Sequence, residues 1–389
     1  MKQSYLKSLL LGFSILLAIP TMASIEIDGI YYNLTGNGAE VTSNPSYYSG
    51  DINIPDIVSY KGATYSVTSI GREAFLNCTN LANIYIPISV TRINEYAFQN
   101  CINLTNIYIP ISVTSIGRSA FEDCSHLQNV YLNEGLTTID MYAFSDCSEL
   151  TKVYIPSSVT KIGQSAFHGC NLDAVEVSDL DAYCKIEFGG QESPLQNNTK
   201  LLVNGKEPEG DLVIPNGVTI VAMNLFRNCT GLTSVTFPTG VTNIRSSAFH
   251  GCTGLTSIHL PAGLISIGNV AFGQCTGLTN ITIPASVSNI EYQSFYGCSS
   301  LTSINVEEGN TEYDSRNNCN AIIKTSDGTL VKGCESTFIP QGVKTIGSYA
   351  FYSCAGLSAI DIPSSVSTIG EYNQEIEGET NVEIIPVSA

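Results

Sequence analysis

The apolar residues of this chain recur in a pattern that predicts short strands lying side by side. In the stretch LANIYIPISVTRINEYAFQNC, from Leu81 to Cys101, Ile84 and Ile86 are two residues apart. They therefore share one face of a strand, whereas Tyr85 between them points to the other face. Pro87 has no N–H to donate, which suits the end of a strand and not its middle.

The second half of the same stretch predicts another strand and a turn. Val90 and Ile93 form a second short apolar run. Ala97, Phe98 and Cys101 have the i, i+1, i+4 spacing of one helical turn. The unit therefore predicts strand, strand and single helical turn, with eight inward apolar positions in 23 residues.

This unit repeats with a period of 23 residues, marked by cysteines that each follow a phenylalanine by three positions. The pairs are Phe75/Cys78, Phe98/Cys101, Phe121/Cys124, Phe144/Cys147, Phe167/Cys170, Phe226/Cys229, Phe249/Cys252, Phe272/Cys275, Phe295/Cys298 and Phe351/Cys354. One unit cannot bury both of its faces, but stacked units can. The sequence therefore predicts a repeat solenoid, a right-handed superhelix of short parallel β-strands and single helical turns.

Two intervals exceed a whole number of periods and indicate degenerate units with insertions, near 176–210 and 307–335. Insertions in repeat arrays lie in loops on one face and often contribute to binding. Their candidate contact residues are Tyr183, Phe188, Tyr313 and Arg316. The alternative is that these insertions are excursions without a binding role. Within the second one, Ala321–Val331 predicts a hairpin that turns at Ser326-Asp327-Gly328.

The repeated string resembles the BspA-like leucine-rich-repeat family of bacterial surface proteins. It reads IPISVTSIGRSAFEDCSHLQNVYL at Ile109–Leu132 and IPSSVTKIGQSAFHGCNLDAV at Ile155–Val175. The resemblance covers roughly residues 50–370. It implies a curved solenoid that is exported or surface-exposed, with adhesion or the binding of host proteins as the expected activity.

The N-terminus predicts export. Lys2 and Lys7 precede an apolar run from Leu9 to Ile19, and small residues end at Ala23. This pattern is typical of a signal peptide, here residues 1–23, and the apolar run is too short to span a membrane. We therefore expect a secreted protein, extracellular or on the outer cell surface, without a transmembrane segment.

Three further segments complete the predicted organisation. Residues 24–60 form an N-terminal β cap, in which Gly29–Thr42 predicts a hairpin turning at Gly36-Asn37-Gly38. Residues 61–370 form the solenoid. Residues 371–389 form a C-terminal tail, because no Ala-Phe-x-x-Cys group follows Gly370.

The outward position of the first strand offers the best candidate binding surface. Four consecutive units place a tyrosine there, namely Tyr85, Tyr108, Tyr131 and Tyr154, and later units place Thr236, His259, Thr282 and Asn305 there. Since neighbouring strands lie about 4.8 Å apart, we expect the four rings to stack as a ladder. Asn83, Asn106 and Asn129, two residues earlier, give this strip a polar border. Such a strip could contact protein or stack on sugar rings, or the tyrosines could simply favour strands.

The 13 cysteines of an exported chain could indicate a disulfide framework. The ten periodic ones share the inward face with Phe and Ala, so the pattern favours buried free thiols. Cys184, Cys319 and Cys334 lie outside the period. The predicted hairpin brings Cys319 near Cys334, so these two form either a disulfide or two more buried thiols.

The net charge and the absence of known motifs argue against nucleic-acid binding, metal binding and catalysis. The net charge of −18 disfavours nucleic acid as a partner. The four histidines, His126, His168, His250 and His259, and the cysteines lack metal-site spacing. No catalytic motif with a defined nucleophile, metal pair or phosphate loop occurs. We therefore expect no enzyme, no cofactor and no metal.

The sequence predicts a secreted or cell-surface leucine-rich-repeat protein that mediates adhesion or protein binding through its repeat surface. The partner would be an extracellular protein, of a host or of a bacterial surface. The alternatives are a surface protein that captures glycans and a structural spacer without a specific ligand.

Overall fold

The computed structural model describes residues 24–196, 198–291, 293–354, 356–357, 359–373 and 383–386. The predicted signal peptide, residues 1–23, lies outside them. Up to the first insertion the strands are β1 (Ile25–Ile27), β2 (Ile30–Thr35), β3 (Gly38–Val41), β4 (Gly50–Asn53), β5 (Ile57–Tyr60), β6 (Ala63–Ile70), β7 (Leu81–Tyr85), β8 (Arg92–Ile93), β9 (Asn106–Tyr108), β10 (Ser115–Ile116), β11 (Asn129–Tyr131), β12 (Thr138–Ile139), β13 (Lys152–Ile155), β14 (Lys161–Ile162) and β15 (Ala174–Val177).

The first insertion begins with one short α-helix, and strands of the later coils follow it. These elements are α1 (Leu180–Cys184), β16 (Glu187–Phe188), a 3-10 turn (Gly189–Gln191), β17 (Lys200–Val203), β18 (Glu209–Val213), β19 (Ile220–Val221), β20 (Gly231–Thr236), β21 (Asn243–Ile244), β22 (Ser257–His259), β23 (Ser266–Ile267), β24 (Asn280–Ile283), β25 (Asn289–Ile290) and β26 (Ser303–Val306). From the second insertion onwards they are β27 (Tyr313–Asp314), a 3-10 turn (Arg316–Asn318), β28 (Ala321–Lys324), β29 (Thr329–Gly333), β30 (Thr345–Ile346), β31 (Ala359–Ile362), β32 (Thr368–Ile369) and β33 (Glu383–Pro386).

The predicted solenoid of short parallel strands is confirmed, because each coil adds one strand to each of two rows. The first row holds the strands that carry the outward tyrosines, such as β9 and β11, and the second row holds the two-residue strands, such as β10 and β12. The pairing is parallel and in register with the period, with Tyr108 opposite Tyr131 and Ile116 opposite Ile139. Stacking therefore joins equivalent residues of successive coils.

The predicted helical turn is wrong in its local structure. In the coil around Phe98, the N–H of Ala97 donates to the Asn94 carbonyl and the N–H of Cys101 donates to the Phe98 carbonyl, so the bonds span three residues and not four. Asn100, just before the cysteine, has a φ of 60°, in the left-handed region that ends a helix. The segment is thus a string of tight turns.

These turns are held by the neighbouring coil. The N–H of Phe98 donates to the Ala120 carbonyl at 2.7 Å, and the N–H of Asn100 donates to the Glu122 carbonyl at 2.8 Å. A helix would direct those groups along its own axis. The turns instead direct these N–H groups at carbonyls of the next coil. These bonds between coils explain why the spacing of Ala, Phe and Cys does not produce a helix.

Phenylalanines and cysteines form columns inside each regular stretch of the solenoid. Successive Phe rings stack with centroids 4.8 to 5.6 Å apart in both halves of the chain. Seven thiols each donate to the carbonyl of a phenylalanine 26 residues earlier, at 3.1 or 3.2 Å. The inward position predicted for these cysteines is therefore confirmed, and their sulfur also has a directional role.

The N-terminal hairpin is present. Strands β2 and β3 pair antiparallel with Thr35 opposite Gly38, so Gly36 and Asn37 form the turn. Strand β3 then pairs in parallel with β6 and joins the second row. Strand β4 pairs in parallel with β7, so stacking begins inside the segment predicted as a cap. The role of the hairpin in covering the first coil stays a prediction.

The C-terminal segment continues the first row, since β33 pairs in parallel with β31. Before it, Asn373 takes over bonds that the backbone of a further coil would make. Its Oδ1 accepts the N–H of Phe351 at 3.2 Å, and its Nδ2 donates to the carbonyls of Gly347 and Gly370 at 2.7 and 3.0 Å. In a regular coil the bond to the phenylalanine N–H comes from a main-chain carbonyl.

Candidate functional site

The four tyrosines lie on the outward side of the first row, but they do not form one ladder. Tyr85, Tyr108 and Tyr131 are 58%, 62% and 44% exposed, and Tyr154 is half-buried. Tyr108 and Tyr131 stack with ring centroids 4.3 Å apart and planes 5° apart. The other rings of these four described tyrosines do not contact each other. The predicted four-ring ladder is therefore wrong.

Strand pairing explains where the stacking stops. Tyr108 and Tyr131 lie opposite each other on the hydrogen-bonded strands β9 and β11. The sheets of the first row break on either side of that pair, because in the described chain β7 pairs with β4 and β13 pairs with β15. Tyrosines on strands that are not paired in register are free to separate. The close neighbour Tyr131 also raises the pKa of the Tyr108 hydroxyl.

Tyr154 instead takes part in a local hydrogen-bond network around Glu134. Its hydroxyl donates to Glu134 Oε1 at 3.3 Å, and the carboxylate also accepts the N–H groups of Ser157 and Ser158 at 3.1 Å. Partial burial raises the pKa of Glu134, but these hydrogen bonds outweigh it and lower the pKa below its usual range. Tyr154 is therefore held in a structural contact at the edge of the strip.

An open groove of about 850 Å³ lies at the break between β7 and β9. We call it the N-terminal groove, and its lining includes Asp51, Asn53, Tyr85, Ile88, Tyr108 and Ile111. Strands β7 and β9, which carry Tyr85 and Tyr108, belong to different sheets in the described chain and are not paired with each other. Tyr131 and Tyr154 do not line the groove.

Ile88 and Ile111 are functional candidates that the reading of the sequence missed. Each follows the proline that ends a first-row strand, and they are 64% and 59% exposed. The signal lay in the repeat itself, because the same position carries polar or small residues elsewhere. Those residues are Ser157, Asn216, Thr239, Ala262, Ala285, Gln341 and Ser364. Exposed apolar groups at two consecutive coils therefore depart from the repeat.

The asparagines form the polar border as expected, but largely through bonds to each other and to neighbours. Asn83 Nδ2 donates to Asp51 Oδ1 at 2.7 Å. Asn129 Nδ2 donates to Asn106 Oδ1 at 2.7 Å, and Asn106 Nδ2 donates to the Thr105 hydroxyl at 2.8 Å. These bonds orient the amides along the strip and occupy part of their capacity to bind a ligand.

Three of the four candidate residues in the two insertions are buried. Tyr183 and Phe188 are 1% and 6% exposed, and their rings meet edge to face at 5.7 Å. Tyr313 is 4% exposed and its hydroxyl accepts the N–H of Ile290, while Arg316 pairs with Asp314 at 2.7 Å. The expectation of a contact surface is wrong for the three buried aromatic residues, since an insertion must still cover the core where the repeat is interrupted. For Arg316, whose side chain is 32% exposed, it stays a prediction.

The thiols and histidines do not converge on a reactive centre in the described chain. All 13 cysteines are free thiols, including Cys319 and Cys334, which are both buried. Burial raises the pKa of Cys124 and Cys252 to about 12. Burial, with a smaller contribution from Arg227, lowers the pKa of His250 to about 4. No group of three or more His, Cys, Asp or Glu side chains with metal-site geometry occurs within the described residues.

Comparison with known proteins gives one family and several solved structures. The model of the BspA type leucine rich repeat region matches residues 57–181, 209–323 and 331–383, in six copies. The chain is similar to a leucine rich cell surface protein from Faecalibacterium prausnitzii (26% identity, 89% of this chain and 72% of that chain, TM-score 0.32). It is also similar to a leucine-rich repeat protein from Eubacterium ventriosum (21%, 94% and 97%, 0.46) and to the pneumococcal vaccine antigen PcpA (17%, 94% and 99%, 0.44). No curated protein matches it. No helix in the described segments is long and apolar enough to cross a membrane.

Proposed function

Because the chain belongs to the BspA-type leucine-rich-repeat family, we propose that it is an exported protein whose outward first-row surface binds an extracellular protein, and that it catalyses no reaction. The observation that carries this proposal is the concentration of exposed apolar side chains on the first coils. Tyr85, Tyr108, Ile88, Ile111 and Tyr131 are each at least 44% exposed. Exposed patches of this kind mark interaction sites on soluble proteins.

The later coils support this interpretation. At the position of the tyrosines they carry Thr236, His259, Thr282 and Asn305, and they stack in the same parallel register. Coils therefore form without a tyrosine at this position. The fold therefore does not require the tyrosines of the first coils, which favours a role for them in binding.

Export is supported by the residues before the described chain. Lys2, Lys7 and the apolar run from Leu9 to Ile19 lead to small residues that end at Ala23. The acidic balance, with a net charge of −18, favours a basic partner over a polyanion.

Glycan capture is a second candidate, favoured by the Tyr108–Tyr131 stack. The ring pair is exposed, and the Asn106 and Asn129 amides lie on the same two strands. Sugar rings pack on aromatic faces and need such amides for their hydroxyls. This arrangement is confined to one pair of coils, whereas the apolar surface extends over more.

The test is binding of the chain from Ser24 to parallel arrays of extracellular-matrix proteins and of glycans. A variant with Tyr85, Tyr108, Tyr131 and Tyr154 replaced by Ser is measured beside it, and circular dichroism confirms that both fold. A protein ligand that the variant loses supports the proposal, and a glycan ligand that the variant loses supports glycan capture. Binding that the variant keeps removes the tyrosines from the site, and failure of the wild-type chain to bind either array favours the structural spacer.

A further inference from the structure

The N-terminal groove is built from a repeated pair of side chains. Each of two consecutive coils contributes a tyrosine before the proline and an isoleucine after it, namely Tyr85 with Ile88 and Tyr108 with Ile111. All four are more than half exposed. Covering such side chains with an apolar partner removes them from water and contributes favourably to binding.

The aliphatic members of these pairs distinguish the classes of ligand. Sugar hydroxyls require hydrogen-bond partners, and an isoleucine side chain offers none. Two of the amides that line the groove are already engaged, since Asn83 donates to Asp51 and Asn106 both accepts from Asn129 and donates to Thr105. The groove therefore suits apolar protein side chains better than a carbohydrate.

Charge adds a second constraint. Asp51 is the one charged residue that lines the groove, and it is exposed. Its Oδ1 accepts from Asn83, which leaves its other oxygen available for a donor of the ligand. A cationic side chain beside the apolar ones would pair with this carboxylate, in a chain that is acidic as a whole.

We propose that the N-terminal groove binds a short peptide segment of a protein partner that presents two apolar side chains and one neighbouring Lys or Arg. The inference rests on the proposed protein-binding function and names its ligand class. The apolar side chains contact the two tyrosine–isoleucine pairs, and the basic residue contacts Asp51. A volume of about 850 Å³ is in the range that accommodates a few side chains of this kind.

The experiment selects heptapeptides from a random phage-displayed library on the chain from Ser24 and measures synthetic versions of the enriched peptides by fluorescence polarisation. We expect enrichment of sequences with two large apolar residues and one Lys or Arg. The double variant Ile88→Ser and Ile111→Ser should weaken their binding by roughly tenfold or more. Asp51→Asn should weaken peptides with the basic residue and leave their Ala analogues unchanged.

The control variant is Ile265→Ser, which removes another isoleucine that is 48% exposed but does not line the groove. It should leave peptide binding unchanged. Ile88 and Ile111 are largely exposed, so the double variant should keep the wild-type melting temperature and circular dichroism spectrum.

Three outcomes would overturn the inference. They are enrichment of no peptide, enrichment of acidic or wholly polar peptides, and binding that the isoleucine double variant keeps. Any of these can occur while the protein array still shows a ligand that depends on the tyrosines, in which case the proposed function stands and only the ligand class is wrong. If neither array nor library yields a ligand, both proposals fail together.

Discussion

The buried cysteines either donate a hydrogen bond that stabilises the fold or only fill space in the core. Comparing the stability of a Ser variant with that of an Ala variant distinguishes these two roles. Cys124 is fully buried, and its Sγ donates to the Phe98 carbonyl at 3.1 Å. Cys124→Ala removes both the buried sulfur and this bond, whereas Cys124→Ser keeps a donor at the same place. If the bond matters, Ser should be tolerated better than Ala. If the thiol only fills space, Ala should be tolerated better than Ser.

The expected losses in the free energy of unfolding depend on which bonds the Phe98 carbonyl keeps. Phe98 O also accepts the N–H of Cys101 at 3.2 Å, so it keeps one partner after the substitution. Cys124→Ala should therefore cost about 1 kcal/mol for the lost bond and about 1 kcal/mol for the lost apolar burial. Cys124→Ser should cost about 1 kcal/mol in total. A buried hydroxyl without a partner would instead cost about 1 to 3 kcal/mol more than Ala.

The assay is equilibrium unfolding in urea followed by far-ultraviolet circular dichroism, with variants compared at equal slope of free energy against urea concentration. Val113→Thr serves as the control for a buried hydroxyl. Thr is similar in size to Val, and Val113 is another buried position of the same coil. We expect the order of stability to be wild type, Cys124→Ser, then Cys124→Ala. A Ser variant that is less stable than the Ala variant would refute the directional role of the thiol.

Three further predictions concern the same architecture. Because burial raises the pKa of Cys124 and Cys252 to about 12, from an ordinary value near 9, the folded chain keeps protons that the unfolded chain releases. The contribution of these two thiols to the free energy of unfolding should therefore be constant below about pH 9 and be lost between about pH 9 and 12, and urea titrations that show no fall in this range would contradict this. At pH 8 iodoacetamide should leave these two thiols unmodified in the native chain and alkylate them after unfolding, as peptide mass spectrometry would show; rapid native alkylation would contradict their burial. Asn373→Asp keeps an acceptor for the Phe351 N–H but loses both donor bonds, so hydrogen exchange of the Phe351 amide should accelerate, more so in Asn373→Ala; equal protection in all three chains would exclude a capping role.

The regular part of the fold was predictable because its information is local and repeated. The alternation of Ile84, Tyr85 and Ile86 defines the two faces of a strand, and ten copies of Phe-x-x-Cys define the period. Where strands of successive coils pair, as β9 with β11 and β10 with β12, equivalent residues lie opposite each other. The inward residues of one unit therefore predict those of the next, and the core follows directly.

The helical turn was predicted wrongly because its spacing has two solutions. Ala, Phe and Cys at i, i+1 and i+4 fit one face of a helix and also fit consecutive tight turns. The distinguishing signal was the residue before the cysteine, which is Asn, Asp or Gly in most units. Asn77, Asn100, Asp123, Asp146, Gly169, Asn228, Gly251 and Gly297 all have positive φ. These types tolerate the left-handed region, and a helix excludes it.

The candidate site was only partly predictable because it depends on contacts between coils. The outward positions of Tyr85 and Tyr108 follow from strand alternation, but the break between β7 and β9 that separates their rings does not. Aromatic residues in an insertion look exposed in the sequence. Tyr183 and Phe188 are nevertheless buried, because the interrupted repeat leaves core surface that some apolar side chain must cover.

In a solenoid, departures from the repeat are more informative about binding than the repeat itself. Inward positions are fixed by the core, so their recurrence reports folding. Outward positions such as that of Ile88 are free to vary, and other coils use Ser157 or Thr239 there without any change in register. Two exposed isoleucines beside two exposed tyrosines gain nothing from the fold in water. Their coincidence in one groove is the departure from the repeat on which the proposed binding surface rests.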